Sequence, residues 1–193
     1  MKKKTLRASK EINKLIEKNN SIKLDLGCGK HKTNGYVGMD MFPFEGVDIV
    51  HNVEDFPFPL PDECVSVAIA SNLVEHINPH NCVFIRFMNE MWRIMKPGGE
   101  FLISAPYAFS PGDGQDPSHC NHITEVTWDY FDPLGVLSGG GLYHYYGTLP
   151  WEVKINTWDN NGYIETVMRK RIIDKSYDVN PTFLEELAKH KTI

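Results

Sequence analysis

The residues between positions 25 and 29 have the types and spacing of a loop that brings bare backbone to a ligand. Asp25 is followed by Gly27 and Gly29, and the apolar run from Ile22 to Leu26 predicts a buried strand that stops at the first glycine. A glycine lets a ligand approach the main chain closely. Open α/β sheets bind ligands beyond the carboxyl ends of their strands, so the segment predicts a ligand-binding loop.

Asp40 ends the next short apolar run, which begins at Tyr36 and predicts a second strand. The two oxygens of a carboxylate can accept hydrogen bonds from both hydroxyls of a ribose, such as that of an adenosine. We therefore predict that Asp40 binds a ribose. The alternative is a solvated acid at the end of a strand.

Two common nucleotide-binding motifs are excluded by the residues that follow Gly29. The dinucleotide fingerprint needs a third glycine at position 32, which is Lys32, and an acid about 20 residues beyond the loop, whereas Asp40 lies much nearer. A P-loop needs Gly-Lys followed by Ser or Thr, but Lys30 is followed by His31. Hydride transfer from NAD and P-loop phosphate chemistry are therefore both disfavoured.

A series of motifs in this chain resembles those of the class I S-adenosylmethionine-dependent methyltransferases. The motifs are residues 24–29, Asp40, residues 52–53, 58–62, 72–77 and 94–101. Their order and spacing match the family over about residues 22–107. The resemblance implies an α/β fold with a doubly wound, mostly parallel, Rossmann-like sheet. It also implies S-adenosylmethionine as cofactor and methyl transfer as the reaction.

The resemblance assigns a set of residues to the cofactor. They are Asp25, Gly27, Gly29, Asp40, Asn52, Val53 and Asn72. Asp25 would bind the methionine amine directly or through water, or else stabilise the loop. Asn52 replaces the acid that the family usually has beside the adenine, and Ser66 replaces the usual Asp that opens the fourth strand. The link over residues 29–36 is too short for the usual helix, which resembles a compact subgroup of the family.

The acceptor is expected to bind to residues 107–150, which follow the fifth strand. Residues 116–119, with Thr124, Trp128 and Phe131, resemble an acceptor-side stretch of the same subgroup. His119 is the predicted general base, and the alternative is a histidine that braces the loop. Such a base is needed only if the acceptor keeps its proton at neutral pH, since the main task of the protein is to orient the two reactants.

Other residues of the chain have a weaker claim to a functional role. His119, Cys120 and His122 are possible zinc ligands, but three ligands within four residues are geometrically awkward and a fourth is missing nearby, so we predict no metal site. Glu75 and His76 are predicted to orient the loop after the fourth strand. An aromatic set could line an acceptor pocket, with about half of it packing in the core: Tyr107, Phe109, Trp128, Tyr130, Phe131, Tyr143, Tyr145 and Tyr146.

The elements that must position these residues follow from apolar periodicity. Five strands are predicted at residues 22–26, 36–39, 47–50, 65–70 and 100–104. A helix with Asn78 as its cap and Pro79 at its first position should end at the turn over residues 96–99. Residues 151–158 and 163–172 flank a turn and predict an antiparallel hairpin. Residues 139–141, three glycines, predict a lid or tight turn, and a last helix should start at Thr182.

Length and composition favour one cytoplasmic domain over residues 1–193. The chain is 41% hydrophobic and 23% charged, and no apolar run approaches the length of a membrane span. We divide it into a basic N-terminal helix (1–20), a cofactor-binding core (21–106), an acceptor-side insertion or lid (107–150), and a hairpin with a C-terminal helix (151–193). The four cysteines lack paired spacing and are expected to be reduced.

The predicted function is methyl transfer to an oxygen or nitrogen of a small-molecule or sugar-like acceptor, and two alternatives stay open. The first is a non-catalytic S-adenosylmethionine- or nucleoside-binding protein with a regulatory or scaffold role. The second is a nucleic-acid methyltransferase, because residues 1–18 hold seven Lys and Arg against two Glu. Since the net charge is −5, the rest of the chain is acidic, which makes a nucleic-acid partner the less favoured interpretation.

Overall fold

The computed structural model describes residues 9–134 and 146–172. Its strands are β1 (Ile22–Leu26), β2 (Val37–Asp40), β3 (Ile49–Val50), β4 (Val65–Ser71), β5 (Met95–Pro106), β6 (Trp151–Trp158) and β7 (Tyr163–Lys170). Its α-helices are α1 (Lys10–Asn19), α2 (Val83–Ile94) and α3 (Pro111–Gln115), and short 3₁₀ turns cover Val74–His76, His80–Cys82 and Glu125–Tyr130. The predictions for residues 1–8, for the three glycines, for Tyr143 and Tyr145, and for a helix from Thr182 lie outside the described residues.

The strands form one seven-stranded sheet in the order β3-β2-β1-β4-β5-β7-β6. The pairs from β3 to β5 are parallel, and β7 lies antiparallel to both β5 and β6. The predicted α/β class, with a mostly parallel sheet and a C-terminal antiparallel hairpin, is confirmed. Strand order reverses between β1 and β4, and in open α/β sheets the carboxyl edge at such a point is where ligands bind.

Helix α2 packs one apolar face against the sheet, as its three- and four-residue spacing predicts. The buried side chains on this face are Phe84, Phe87, Met88, Met91 and Ile94. The predicted start of the helix at Asn78 and Pro79 is wrong. Asn78 Oδ1 accepts a hydrogen bond from His80 N (2.8 Å) within a separate 3₁₀ turn. Cys82 (φ 56°) then interrupts the helical path, so the α-helix begins only at Val83.

The segment over residues 96–99 differs from the predicted turn that ends a helix. Helix α2 ends at Ile94, and β5 begins at the next residue because Met95 pairs with Val65. The register then shifts, since Val67 pairs with Glu100. Residues 96–99 therefore lie as a bulge within β5 rather than between two elements.

The predicted hairpin is confirmed, with its second strand ending at Lys170 rather than at position 172. Asp159 Oδ1 accepts hydrogen bonds from the main-chain N–H groups of Asn161 (3.0 Å) and Tyr163 (3.1 Å), which closes the turn. Helix α1 has Ser9 as its N-cap and ends at Asn19, and the C-cap residue Asn20 adopts the left-handed conformation. Within residues 9–134 and 146–172 no helix has the length and apolarity needed to cross a membrane.

Candidate functional site

The glycine loop between β1 and β2 is held by main-chain hydrogen bonds to the end of β2. Gly27 has a φ of +63° and donates its N–H to Met39 O (2.8 Å). A Cβ at position 27 would lie 3.0 Å from Leu73 Cδ1, so the segment after β4 packs directly on this glycine. A residue with a side chain would meet both a left-handed backbone and this contact.

The carboxylate of Asp40 lies beside the loop, at the carboxyl end of β2. Its Oδ2 accepts a hydrogen bond from Gly29 N (2.9 Å), and its Oδ1 accepts one from Phe42 N (2.8 Å). Each oxygen keeps a further lone pair. Since Asp40 is buried and its carboxylate is held at both oxygens, its remaining acceptor sites have a defined direction.

Two further acids brace the link that is too short for a helix. Asp25, buried on β1, accepts a hydrogen bond at Oδ2 from Thr33 N (2.7 Å). Asp48 accepts one from Gly38 N (2.8 Å) and forms an ion pair with Lys32 (2.8 Å). The observed contact of Asp25 is thus the loop-stabilising one, which fits the second of the two roles considered for it.

The remaining residues predicted to contact the cofactor follow β3 and β4. Asn52 comes after β3, and its Oδ1 accepts a hydrogen bond from Glu54 N (3.0 Å), so its carbonyl side forms a local turn. Val53 beside it is buried. Asn72 comes after β4, has a φ of +50°, is exposed and donates its N–H to Ser104 O (2.9 Å). Parallel pairing brings these strand ends to the edge that carries the glycine loop and Asp40.

His119 reaches the same edge through contacts with the turn that follows β4. The N–H groups of Cys120 and Asn121 both donate to Glu75 O, at 2.9 and 3.0 Å. The Nδ1 of His119 lies 2.9 Å from Asp113 O. A main-chain carbonyl can only accept, so Nδ1 carries a proton, and in the neutral form of the ring Nε2 has the free lone pair. A base needs such a lone pair, and the surrounding structure fixes its orientation.

Glu75 is the residue that sequence analysis underestimated. Its side chain is 1% exposed, and neither carboxylate oxygen has a hydrogen-bond partner among the described residues. Burial raises the pKa of this carboxyl, and the main-chain amide of Glu75 itself, followed by the nearby His76 and His119, partly offsets that increase. The rings of His76 and His119 contact each other edge to face, with centroids 4.7 Å apart. No local sequence pattern predicts that a glutamate at the second position of such a short turn is buried in this way.

The three residues considered in the sequence as possible zinc ligands, and judged not to form a site, do not converge in the structure. The Cys120 thiol donates to His76 O (3.4 Å) and Ile77 O (3.5 Å). His122 lies 3.0 Å from the buried carboxylate of Asp113. Only His119 of the three joins the group around Glu75.

The aromatic residues divide between core and surface. Trp128 and Phe131 are buried in the core, whereas Phe109 is 90% exposed and stacks on His122. A mostly apolar pocket of about 230 Å³ lies beside Asn121, and both Tyr130 and Tyr146 line it. Among the described aromatic residues, Tyr130, Phe131 and Tyr146 line this pocket and Trp128 packs in the core, whereas the exposed Phe109 does neither.

Sequence comparison finds methyltransferases. A family profile described as a methyltransferase domain matches residues 44–103. A protein of Mycolicibacterium smegmatis (strain ATCC 700084 / mc(2)155), described as a probable S-adenosylmethionine-dependent methyltransferase, is 29% identical over 146 residues. The aligned part is 68% of this chain and 51% of that protein, so the chain spans about half the length of this relative.

Solved structures share the fold at low sequence identity. A methyltransferase from Archaeoglobus fulgidus, dependent on S-adenosylmethionine, has a TM-score of 0.55 and 15% identity, over 84% of this chain and 95% of that one. The [4+2]-cyclase SpnF has a TM-score of 0.50 and 13% identity, over 84% of this chain and 81% of that one. One fold therefore carries different chemistries, and the residues of the site must decide between them.

Proposed function

We propose that the chain is a class I S-adenosylmethionine-dependent methyltransferase and that it transfers the cofactor's methyl group to an oxygen or nitrogen of a small-molecule or sugar-like acceptor. The cofactor would bind at the carboxyl edge of the sheet. The whole chain, residues 1–193, would act as one domain, with residues 21–106 for the cofactor and 107–150 for the acceptor.

The observation that carries this proposal is the fixed carboxylate of Asp40 beside the glycine loop. Gly29 N and Phe42 N each hold one of its oxygens, and the free lone pairs suit the two hydroxyls of a ribose. A Cβ placed at position 29 would have no other described atom within 4 Å, so the loop leaves open space at this point. The residues present therefore fit an adenosine.

The other cofactor residues have distinct proposed tasks. Gly27 and Gly29 let the ligand approach the main chain, and Asp25 holds the loop through Thr33 N. Asn52 and Val53 would contact the adenine, with the amide of Asn52 as donor because its carbonyl already forms a turn. Asn72, exposed at the end of β4, would contact the methionine part of the cofactor.

The chain's own contribution to the reaction is mainly orientation. S-adenosylmethionine supplies an activated methyl group when bound, so the protein must hold the acceptor atom in line with it. We assign His119 Nε2 as the general base for an acceptor that keeps its proton at neutral pH. The contact of Nδ1 with Asp113 O fixes both the tautomer and the ring direction.

The test is a calorimetric titration of S-adenosylhomocysteine into the full chain and into Asp40→Asn. We expect micromolar binding that weakens at least tenfold in the variant, or about 1.4 kcal/mol. The matched control is Asp48→Asn, because Asp48 also accepts a main-chain N–H in this region but is held by Lys32. The control should bind within about twofold of the wild-type chain.

Three outcomes would count against the proposal. Absence of binding to the wild-type chain would remove the cofactor site altogether. Equal losses in Asp40→Asn and Asp48→Asn would assign the effect to a general disturbance of the loop. Binding without turnover on any hydroxyl or amine acceptor would favour the non-catalytic alternative.

A further inference from the structure

A cluster of one carboxylate and two imidazoles lies beside the proposed acceptor site. Its members are Glu75, His76 and His119, and we call it the carboxylate–histidine cluster. Each residue offers one ligand atom, and these atoms all lie within 4.8 Å of one another. Glu75 and His76 come from the turn after β4, whereas His119 comes from the segment after α3. Two separate parts of the chain thus converge on one point.

Glu75 is an independent sign that something binds at this point. Its side chain is 99% buried, and both of its carboxylate oxygens lack a hydrogen-bond partner among the described residues. Burying a carboxylate without a partner is costly, and proteins compensate by pairing it or by coordinating a metal. No other described glutamate combines such burial with two unpartnered oxygens.

Both histidines are held in the way that metal-ligating histidines are held. A ligating imidazole commonly has its second nitrogen fixed by a carbonyl, a carboxylate or another polar group. Here His119 Nδ1 contacts Asp113 O (2.9 Å), and His76 Nδ1 contacts Ser118 Oγ (3.2 Å). Ser118 Oγ in turn donates to Asp116 Oδ1 (2.6 Å). The Nε2 atoms remain for coordination.

We propose that the carboxylate–histidine cluster binds one divalent transition metal ion of the zinc class. Two imidazoles and one carboxylate are ligands that Zn²⁺ accepts, and three protein ligands leave a fourth position open. Tetrahedral coordination would bring the ligand atoms to roughly 3.4 Å apart, so the side chains would close slightly around the ion. Asp116 Oδ2 lies 3.9 Å from His119 Nε2, near enough to contact the ion's bound water.

The open position suggests a role that rests on the proposed function. An acceptor with a hydroxyl or carboxylate oxygen could bind the ion there, and the metal would lower the pKa of a bound hydroxyl so that its proton leaves to water. The ion would then occupy the Nε2 lone pair of His119. His119 would serve as a base only in the metal-free protein, so metal removal distinguishes the two roles.

The experiment is a titration of Zn²⁺ into the chelator-treated full chain, with Co²⁺ absorption as a second probe. We expect one equivalent to bind with a dissociation constant of about 1 μM or tighter. The variants Glu75→Gln, His76→Gln and His119→Gln should each weaken Zn²⁺ binding at least about tenfold. Circular dichroism melting identifies any variant that fails to fold, and the others then decide the outcome.

The matched controls are His122→Gln and Cys120→Ser, which remove potential ligands close in sequence but outside the cluster. Both should keep the wild-type affinity for Zn²⁺. Absence of a stoichiometric site, or a site lost in a control but kept in His119→Gln, would overturn the proposal. Titration of S-adenosylhomocysteine into the same samples tests the cofactor site separately, so failure of one proposal is distinguishable from failure of the other.

Discussion

The glycine loop and the carboxylate–histidine cluster lie at the same edge of the sheet but are built differently. In the loop, acids accept main-chain N–H groups from nearby in the sequence: Asp25 from Thr33, Asp40 from Gly29, and Asp48 from Gly38. In the cluster, residues 74–77 meet residues 116–122, and the central carboxylate of Glu75 has no hydrogen-bond partner among the described residues. The acids of the loop are paired within the chain, whereas the proposed metal ion would supply the partner that the cluster lacks.

The difference has an energetic meaning. Local hydrogen bonds close short stretches of chain, so they cost little conformational entropy. Contacts between distant segments depend on the rest of the fold to hold both sides in place. We therefore expect the acceptor side to respond to remote changes that leave the cofactor side intact.

The largest expected effect comes from Asp132→Ala. Asp132 is buried and forms an ion pair with Arg171 (2.7 Å) while accepting Val153 N (3.0 Å), which ties the acceptor-side segment to the hairpin. Removing one partner of a buried pair should lower the free energy of unfolding by about 3 kcal/mol. Chemical denaturation measures this, and S-adenosylhomocysteine affinity should stay within about twofold of wild type.

The control for this change is Asp62→Ala, which removes a mostly exposed partner of Arg93. Its effect on the free energy of unfolding should stay below about 1 kcal/mol. A large loss of cofactor affinity in a folded Asp132→Ala variant would contradict the comparison, because it would show that the cofactor side depends on contacts of the acceptor side.

A smaller effect is expected from two glycine substitutions within the loop. Gly27→Ala should lower the free energy of unfolding by about 2 kcal/mol, because the new methyl group meets both a left-handed backbone and Leu73 at 3.0 Å. Gly29→Ala should cost about 1 kcal/mol, since its φ is also positive but its Cβ would meet open space. Thermal denaturation of both variants measures the difference. Equal costs would show that the contact with Leu73 contributes nothing.

The smallest effect concerns the two cysteines of this edge. Cys28 in the loop is buried, and burial, followed by the charges of Asp25 and Asp40, raises its pKa. Cys120 is exposed. At pH 7.5 a maleimide should modify Cys120 on the order of tenfold faster than Cys28, as measured by peptide mass spectrometry. Because thiolate forms only at a higher pH when a pKa is raised, modification of Cys28 should accelerate as the pH rises above 9.

The matched variant for this measurement is Asp40→Asn, which removes one of the charges that raise the pKa of Cys28. It should increase the modification rate of Cys28 and leave that of Cys120 unchanged. A comparable increase at Cys120 would point to a general loosening of the edge.

Much of the fold was predictable because its signals are local. The strand over residues 22–26 and the first hairpin strand over residues 151–158 match the predictions residue for residue. A short apolar run that ends at a glycine, or a turn rich in Asp, Asn and Gly, leaves few alternatives to the backbone. The pairing of the glycine loop with Asp40 follows equally, since parallel neighbours end at one edge.

The start of helix α2 was predicted wrongly because the residues that signal a helix start form a different local structure. Asn78 and Pro79 have the types of a helix start, but they begin a 3₁₀ turn, and the left-handed Cys82 delays the α-helix to Val83. The packing of Phe84 against Trp128 and Phe131 accompanies this start, and residues so distant in sequence are invisible to a local rule.

The sequence by itself determined which segments form most of the strands, the glycine loop and the acid that faces it, because each depends on residues close along the chain. Only the tertiary structure decided that Glu75 and His76 meet His119 and that the carboxylate of Glu75 is buried with no hydrogen-bond partner in the described part of the chain. The physical reason is that the main-chain bonds of Cys120 and Asn121 to Glu75 O join segments more than 40 residues apart, and no periodicity encodes such a contact.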